Sequence, residues 1–316
     1  MKKVGVFIVI SLAAWISVNN PFVNPYVATL KNSVSPAVKQ EDPLYQSILK
    51  NASTYEVAPS DAKVDPIWKA IPGYNGLKVD INASYKNMKA KGRFDEKKLL
   101  LKQTAPRVHL KELPPAPIYK GHPDKPMVSF IINVAWGNEY LSQMLATLKK
   151  HNISATFFLE GNWVKKNPEL AKMIVTAGHE VGNHSYTHPD MKKLTASMAR
   201  EQMVQTNEVI EAATGVKSVR WFAPPSGSYN EETVKVASEL KMKTVMWTVD
   251  TIDWQKPTPE VLLNRVITKI GNGSMVLMHP TEATAKSLNR MITLIEKKNL
   301  EIGTVTELMD EERILK

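Results

Sequence analysis

The chain has 316 residues, a formal net charge of +10 and no cysteine. This length exceeds one average domain and can bury a large core. The missing cysteines exclude disulfides and thiolate metal sites, so any bound metal must use His, Asp or Glu. The strongest basic run is 86–102, but no nucleic-acid-binding motif accompanies it, so we expect no nucleic-acid partner. The excess charge is typical of a solvated lysine-covered surface and also suits an anionic cell wall or membrane.

The first twenty residues have the pattern of an export signal. Lys2 and Lys3 precede an apolar run at 4–18 that only two serines interrupt. The run is short for a membrane span, yet no clean Ala-x-Ala cleavage site follows it. We therefore interpret 1–20 as a cleaved signal or an uncleaved anchor, and either places the remaining chain outside the cell membrane.

The next hundred residues contain three segments that differ in composition. Residues 21–64 are polar with little periodicity, which predicts a tether. Residues 65–115 combine Pro-Gly and Asn-Gly turns with short strand and helix patterns, which predicts a small α/β module of unknown role. Residues 116–126 are rich in proline and predict a linker.

From residue 127 to about 308, apolar strand patterns alternate with amphipathic helix patterns. The predicted strands are 128–134, 154–159, 244–249, 274–278 and 302–305. The predicted helices are 140–151, 167–177, 196–214, 231–240, 259–270 and 285–298. This alternation predicts an α/β fold with parallel strands and crossover helices, in which the chemistry lies at the carboxyl ends of the strands.

The stretch 178–190, Gly-His-Glu-Val-Gly-Asn-His-Ser-Tyr-Thr-His-Pro-Asp, contains the most informative pair of side chains. His184 and His188 are four residues apart, and one turn of helix would place both imidazoles on the same face. Neutral imidazole is a common zinc ligand, so the pair can form two corners of a metal site. Two histidines at this spacing can equally be unrelated, and the zincin motif is absent because no Glu follows His184.

Other stretches occur in an order that gives this pair a context. They are Ala-Thr-Phe-Phe-Leu-Glu-Gly at 155–161, Phe-Ala-Pro-Pro-Ser-Gly at 222–227, Trp-Thr-Val-Asp-Thr-Ile-Asp-Trp at 247–254 and Val-Leu-Met-His at 276–279. Together with 178–188 they resemble the polysaccharide deacetylase family, that is, the NodB-homology domain of carbohydrate esterase family 4. The resemblance covers about 125–305. The segment 136–139 and the predicted anchor resemble the envelope and sporulation deacetylases of Gram-positive bacteria.

The resemblance implies a distorted (β/α) barrel and metal-dependent removal of acetyl groups from N-acetylhexosamines. His184 and His188 match the two metal-binding histidines, with Zn²⁺ as the expected metal. His279 matches the general acid. Asp250 or Asp253 is expected to hold that histidine, and the matching motif favours Asp250.

Further residues match the substrate-binding parts of the family. Trp254 and Leu277 match the apolar walls of the acetyl pocket. Pro224, Pro225 and Tyr229, from the Pro-Pro motif and its continuation, are also expected to contact the glycan.

The first motif of the family, Thr-Phe-Asp-Asp-Gly, is degenerate in this chain. Its first Asp is the catalytic base and its second is the third metal ligand. Aligned by the strand, Asn133 and Val134 stand at these positions; aligned by Gly137, Ala135 and Trp136 do. Neither alignment supplies a carboxylate, and we take Asn133 as the replaced catalytic residue.

A second departure accompanies the first. The family has an Arg before the Pro-Pro pair, and this Arg pairs with the catalytic Asp. Here the position is Ala223. A buried Arg without its carboxylate would cost about 3–5 kcal/mol, so the two losses are physically consistent with each other.

Two hypotheses follow for the function. The first is a peptidoglycan deacetylase with a weakened zinc site that either has very low activity or uses another base such as Glu139. Loss of a general base costs about 10²–10⁴-fold in rate. The second is a non-catalytic glycan-binding or scaffolding protein of the cell wall. In both, the protein is a monomer on the outer face of the membrane or in the wall.

Overall fold

The structure is a computed structural model that describes residues 42–315, which form two compact units. The predicted export segment 1–20 and the first half of the predicted tether lie outside the described residues. Within residues 42–315, none of the helices has the length and apolar character needed to cross a membrane.

The described residues form α-helices and short strands. The helices are α1 (Pro43–Tyr55), α2 (Ile81–Met88), α3 (Asn138–Lys150), α4 (Gly161–Lys166), α5 (Pro168–Thr176), α6 (Ala196–Thr214), α7 (Glu231–Glu239), α8 (Pro259–Ile267), α9 (Glu282–Glu296) and α10 (Val305–Met309). The strands are β1 (Lys63–Asp65), β2 (Lys69–Ile71), β3 (Gly76–Val79), β4 (Leu101–Thr104), β5 (Met127–Val134), β6 (Thr156–Leu159), β7 (Glu180–Asn183), β8 (Trp221–Phe222), β9 (Lys243–Thr244), β10 (Val249–Asp250), β11 (Met275–Met278) and β12 (Glu301–Gly303).

The smaller unit consists of 42–57 and Leu77–Lys102. Its first helix, α1, contradicts the predicted tether over 43–55. Asp42 caps this helix by accepting a hydrogen bond from Leu44 N, and a proline occupies its first turn. Its buried side chains recur every four residues and pack on those of α2 and β3, so tertiary contacts stabilise a helix of weak sequence periodicity.

The larger unit consists of Ala58–Gly76 and 103–315. The structure therefore divides the predicted module 65–115 between the two units. In the larger unit, β1 and β2 form an antiparallel hairpin that the turn chemistry alone did not reveal. The predicted linker 116–126 is not solvated throughout, since Ile118 is fully buried and bonds to the backbone of Thr244 and Met246.

The larger unit is built on one parallel sheet with the order β10-β11-β5-β6-β7-β8-β9, and β12 also pairs with β5. Its central strand, β5, alternates strictly. One set of side chains packs under the helices: Val128, Phe130, Ile132 and Val134. The other set, which includes Ile131, faces the opposite side of the sheet, called the interior face below, where a second cluster of buried side chains lies. Both faces of β5 are therefore buried, as in helix-covered parallel sheets.

The sheet curls so that its two edges approach each other. The predicted strand 244–249 is in fact interrupted: β9 ends at Thr244 on one edge and β10 begins at Val249 on the other. Five residue steps span at most about 17 Å, whereas a flat seven-strand path would separate its edges by about 29 Å. The curl brings the carboxyl ends of the strands together at one end of the unit.

The end of the chain corrects one further prediction. The last strand was expected over 302–305, but β12 ends at Gly303 and Val305 begins α10. The reason is a capping box, in which Thr304 and Glu307 satisfy each other's backbone N–H groups. The long helix predicted at 196–214 is confirmed as α6.

Candidate functional site

His184 and His188 meet at the carboxyl end of β7, although they do not lie on a helix. The backbone after β7 is irregular, with Ser185 and His188 in the left-handed region at φ 61° and 56°. The two imidazole rings nevertheless lie 5.1 Å apart between centroids and stand edge to face. The prediction that the pair comes together is confirmed, whereas the helical turn assumed for it is wrong.

The hydrogen bond of His184 decides which ring nitrogen is available. Its Nδ1 lies 2.7 Å from the carbonyl oxygen of Ala223, which can only accept, so Nδ1 carries the proton. Burial lowers the pKa of His184 to about 3, and burial also lowers the pKa of His188. Both rings are therefore neutral at pH 7, and Nε2 of His184 is free to accept a proton or a metal ion.

His279 follows β11 and is held by a buried carboxylate. Oδ1 of Asp253 lies 2.8 Å from its Nδ1, and Oδ2 accepts its backbone N–H at 2.6 Å. Thr284 donates a third hydrogen bond to Asp253, which is fully buried. The preference for Asp250 as the partner of His279 is therefore wrong. Asp250 instead accepts the backbone N–H of Ile252.

These side chains surround a cavity of about 430 Å³ at the carboxyl end of the sheet. It is lined by Asn133, Ala135, Trp136, His184, His188, Ser226, Trp247, Asp250, Trp254, Leu277 and His279. The structure thus brings together the predicted histidines, Asn133, Asp250, Trp254 and Leu277. The sequence analysis missed Trp247 and Ser226 as lining residues, because Trp247 lies inside a predicted strand and Ser226 was considered only as part of the Pro-Pro stretch.

Three residues predicted to bind substrate do not line this cavity. Pro224 and Pro225 are buried, and they support the loop that presents Ser226. The hydroxyl group of Tyr229 lies 2.9 Å from that of Tyr119 and does not reach the cavity. The Pro-Pro motif therefore shapes the wall without contributing its own ring atoms to it.

Gly137 settles the alignment of the degenerate first motif. Its φ is +82°, and a Cβ atom at this position would lie 1.9 Å from the carbonyl oxygen of Pro280, so only glycine fits. Val134 is fully buried under the helices and cannot face the cavity. Ala135 and Trp136 do line it. The alignment by Gly137 therefore describes the site, and placing Val134 at the metal position is wrong.

The same register changes the interpretation of Asn133. Its side chain also lines the cavity, but it lies two residues before Ala135 on the same face of β5, one step deeper. Asn133 thus corresponds to the Thr of the family motif, and Ala135 replaces the base. Our assignment of Asn133 as the replaced catalytic Asp is corrected accordingly.

Trp136 occupies the position of the family's third metal ligand, where it makes an aromatic contact. Its ring stacks on His279 with 5.7 Å between centroids and 10° between planes. The side chain is 46% exposed, and that of Trp254, which also lines the cavity, is 55% exposed. Two large aromatic faces therefore frame the mouth of the cavity.

The position of the missing arginine is occupied by a closely packed alanine. Ala223 is buried in the interior cluster of the sheet, and its carbonyl oxygen binds His184. Glu139, the alternative base, is exposed and does not line the cavity that contains His279. The cavity thus contains His279, held by Asp253, and has Ala135 and Trp136 where the family's first motif has its two carboxylates.

The residues of the site do not fit a complete catalytic metal centre. His184 and His188 supply two imidazoles, but residues 42–315 contain no group of three His, Asp or Glu side chains placed to hold a metal ion. A catalytic zinc site requires three protein ligands and an open position. The described residues therefore supply at most two of these three ligands.

Comparison with known proteins agrees with this geometry. A family model described as polysaccharide deacetylase matches residues 120–245. A crystal structure of BA3943, a CE4 family pseudoenzyme from Bacillus anthracis, is 58% identical and superimposes with a TM-score of 0.81, covering 87% of this chain and 97% of that one.

The chain belongs to the polysaccharide deacetylase family. Its parallel sheet with flanking helices is the NodB-like α/β fold of that family. A second relative is the uncharacterized protein YlxY of Bacillus subtilis, which is 56% identical over 99% of this chain and 98% of its own length. The peptidoglycan-N-acetylglucosamine deacetylase of Bacillus cereus is more distant, at 31% identity over 54% of this chain and 63% of its own length. Metal dependence is general in this family.

Proposed function

We propose that this polysaccharide deacetylase-family protein binds aminosugar glycans of the cell envelope, peptidoglycan foremost, and hydrolyses their acetamido groups very slowly or not at all. The observation that carries the proposal is the pair Ala135 and Trp136, which stands where the family has its base and its third metal ligand. The similarity to the Bacillus anthracis pseudoenzyme and to peptidoglycan deacetylases supports it.

The cavity supports glycan binding for a separate reason. Trp136, Trp247 and Trp254 line it, and large aromatic faces beside a few polar groups are typical of ligand pockets. Replacing an acidic ligand by Trp136 removes a charge and adds an apolar surface at the mouth. A site that had merely decayed would not require such a surface.

Weak turnover is the second candidate, and one contact favours it. His279 and Asp253 keep the geometry of an oriented proton donor, with Nδ1 and Oδ1 at 2.8 Å. A donor without a base leaves part of the catalytic machinery in place. Loss of the base alone reduces the rate by about 10²–10⁴-fold, which a sensitive acetate assay can detect.

The deciding experiment restores the missing groups in the correct register. We would measure acetate release from N-acetylglucosamine oligomers and peptidoglycan by the parent, by Ala135→Asp/Trp136→Asp/Ala223→Arg, and by Asn133→Asp/Val134→Asp/Ala223→Arg. The first triple variant should gain zinc-dependent activity of at least about 10²-fold over the parent, the usual effect of a general base, because it regains the base together with the third metal ligand and the arginine. A mutant of the Bacillus anthracis pseudoenzyme with restored enzymatic activity, 57% identical to this chain, makes the design reasonable.

The second triple variant is the matched control. It adds the same charges, but Val134→Asp places a carboxylate in the apolar layer under the helices, so we expect no activity and lower stability. If the first variant is active and the parent releases acetate at a rate within tenfold of it, the proposal is contradicted, because the parent must then contain a substitute base. If the folded parent does not bind glycan, the glycan-binding part of the proposal is contradicted.

We also propose that His184 and His188 bind a divalent metal ion, Zn²⁺ first, with weakened affinity. Two neutral imidazoles 5.1 Å apart support this, and the missing carboxylate explains the weakening. Zinc titration of the folded protein should show binding that His184→Ala/His188→Ala abolishes. Unchanged binding in the double variant would place the metal elsewhere.

A further inference from the structure

Glu160 lies in the same row of the sheet as Ala135 and His184. Its backbone N–H bonds to the carbonyl oxygen of Val134, and that of His184 bonds to the carbonyl oxygen of Leu159, both at 3.0 Å, which extends the β5-β6-β7 ladder by one residue. Glu160 follows inward-facing Phe158 by two residues, so its side chain starts on the interior face. The missing base and a buried glutamate are therefore neighbours.

Within the described chain, the buried carboxylate of Glu160 has no cation in direct contact with it. It is 7% exposed and lines a hollow of about 640 Å³ together with Ala135 and His188. Oε2 accepts the backbone N–H of Trp163 at 2.5 Å, and among residues 42–315 the side chain makes no ion pair. Besides the imidazole of His188, the basic side chain on the hollow is Lys166, which is exposed. Burial raises the pKa of Glu160, and the hydrogen bond from Trp163 and the charge of Lys166 oppose that rise.

A second acceptor lies without a partner in the adjoining cavity. Oδ1 of Asn133 is buried and, within the described chain, receives no hydrogen bond. The cavity and the hollow adjoin each other, because Ala135, Trp136 and His188 line both. Ala223 offers no positive charge where the family has an arginine. The floor of the site beside Ala135 thus presents two buried acceptors, the carboxylate of Glu160 and the amide oxygen of Asn133, without the arginine of the family.

The chemistry that fits such a floor is a donor without acceptors and with a positive charge. A primary ammonium has three N–H donors and no acceptor, whereas an acetamide adds a carbonyl oxygen that needs a donor. We infer that the site binds the free ammonium group of a de-N-acetylated hexosamine in a glycan, with Glu160 as counter-ion, in preference to the N-acetylated sugar. This inference rests on the proposed glycan-binding function and specifies which sugar is recognised.

The test compares two ligands that differ only in the acetyl group. Titration calorimetry of the full chain, in buffer with EDTA at a pH where the amine is protonated, would use tetramers of glucosamine and of N-acetylglucosamine. The glucosamine tetramer should bind at least tenfold more tightly, the usual effect of a charge-assisted hydrogen bond. Because the chain itself carries +10, non-specific attraction does not favour a cationic ligand.

Glu160→Gln tests the residue. Glutamine keeps an oxygen for Trp163 N and removes only the charge, so affinity for the glucosamine tetramer should fall about tenfold while affinity for the N-acetylated tetramer stays unchanged. Glu208→Gln, which removes the same charge from the exposed side of α6 outside the hollow, is the control and should have little effect.

The possible outcomes distinguish failure of the preference for the free ammonium group from failure of glycan binding itself. Binding of the N-acetylated tetramer as tightly as the glucosamine tetramer would overturn the inference and leave glycan binding intact, and this wild-type comparison holds even where Glu160→Gln fails to fold. Binding of neither tetramer would reject the proposed function. Recovery of glucosamine binding only after zinc replaces EDTA would show that the cation is a metal, which also overturns the inference.

Discussion

Asp253 holds the side chain of His279, and the backbone between Asp250 and Asp253 determines which of the two carboxylates does so. Ile252 lies in the left-handed region at φ 51°, which β-branched residues rarely adopt. Such strain clusters at functional sites, and here it accompanies a turn that buries Asp253 beside His279 while Trp254 stays exposed. Counting residues along a regular strand could not reveal this turn.

Replacing Asp253 should therefore cost far more stability than replacing Asp250. Asp253→Ala leaves the N–H groups of His279 and the hydroxyl of Thr284 without their acceptor, so the free energy of unfolding should fall by about 3 kcal/mol or more. Asp250→Ala loses one local hydrogen bond and should cost less than about 1 kcal/mol. Urea denaturation measures both, and equal losses would contradict the assignment of Asp253.

His179 makes the fold sensitive to acid. It is buried at the start of β7, its Nδ1 accepts the backbone N–H of Ala155, and burial lowers its pKa to about 4. Between pH 6.5 and about 4, His179 is therefore neutral in the native state, whereas the same side chain binds a proton in the unfolded chain. Stability is full above about pH 6.5 and is lost as the pH falls towards 4.

The expected loss from His179 is about 3 kcal/mol across this window, taking 1.36 kcal/mol per pKa unit. His184 contributes in the same direction. His179→Asn keeps an acceptor for Ala155 N but cannot be protonated, so the slope of stability between pH 6.5 and 4 should be shallower than in the parent. The measurement is urea denaturation at several pH values, and parallel slopes would show that His179 does not carry the effect.

At the scale of elements, the junction of β5 and α3 determines where the degenerate motif points. Gly137 turns the chain sharply enough for Ala135 and Trp136 to face the cavity before α3 begins at Asn138. The turn packs against the backbone of Pro280, next to His279. The same glycine thus couples the first motif to the strand end that bears His279.

Gly137→Ala should destabilise the protein strongly. The new Cβ atom meets the carbonyl oxygen of Pro280, in addition to the cost of a left-handed backbone. Gly178→Ala is the matched control, because Gly178 has φ +84° and no atom within 4 Å of the added Cβ. We expect about 1–2 kcal/mol for Gly178→Ala and a clearly larger loss for Gly137→Ala. Similar melting temperatures for the two variants would mean that the junction adapts.

At the scale of the whole molecule, the export prediction joins the N-terminal sequence to the proposed function. Lys2, Lys3 and the apolar run 4–18 lie outside the described residues, and they predict delivery to the outer face of the membrane. A glycan-binding domain requires that location to meet peptidoglycan. The net charge of +10 is compatible with an anionic wall.

Protease treatment of intact cells after removal of the wall tests the location. The domain should be digested in the parent and protected when Lys2, Lys3 and the apolar run are deleted, because that variant remains inside. Protection of the parent domain would refute export. Detection in the membrane fraction, as opposed to the medium, would distinguish an anchor from a cleaved signal.

The sequence by itself determined the family, the alternation of strands and helices, and the pairing of His184 with His188. These properties depend on local patterns: the period of two in β5, the 19-residue helix α6 and the order of short motifs along the chain. Such patterns survive wherever neighbouring residues share one regular conformation. The loss of the two carboxylates was also evident, since neither alignment contained one.

Only the tertiary structure decided which side chains fill the positions left empty. Gly137 against Pro280 chose Ala135 and Trp136 over Asn133 and Val134, and contacts with β11 chose Asp253. The ladder β5-β6-β7 placed Glu160 beside Ala135. In each case the side-chain direction depends on a left-handed residue or a neighbouring strand distant in sequence, and spacing along the chain carries no information about either.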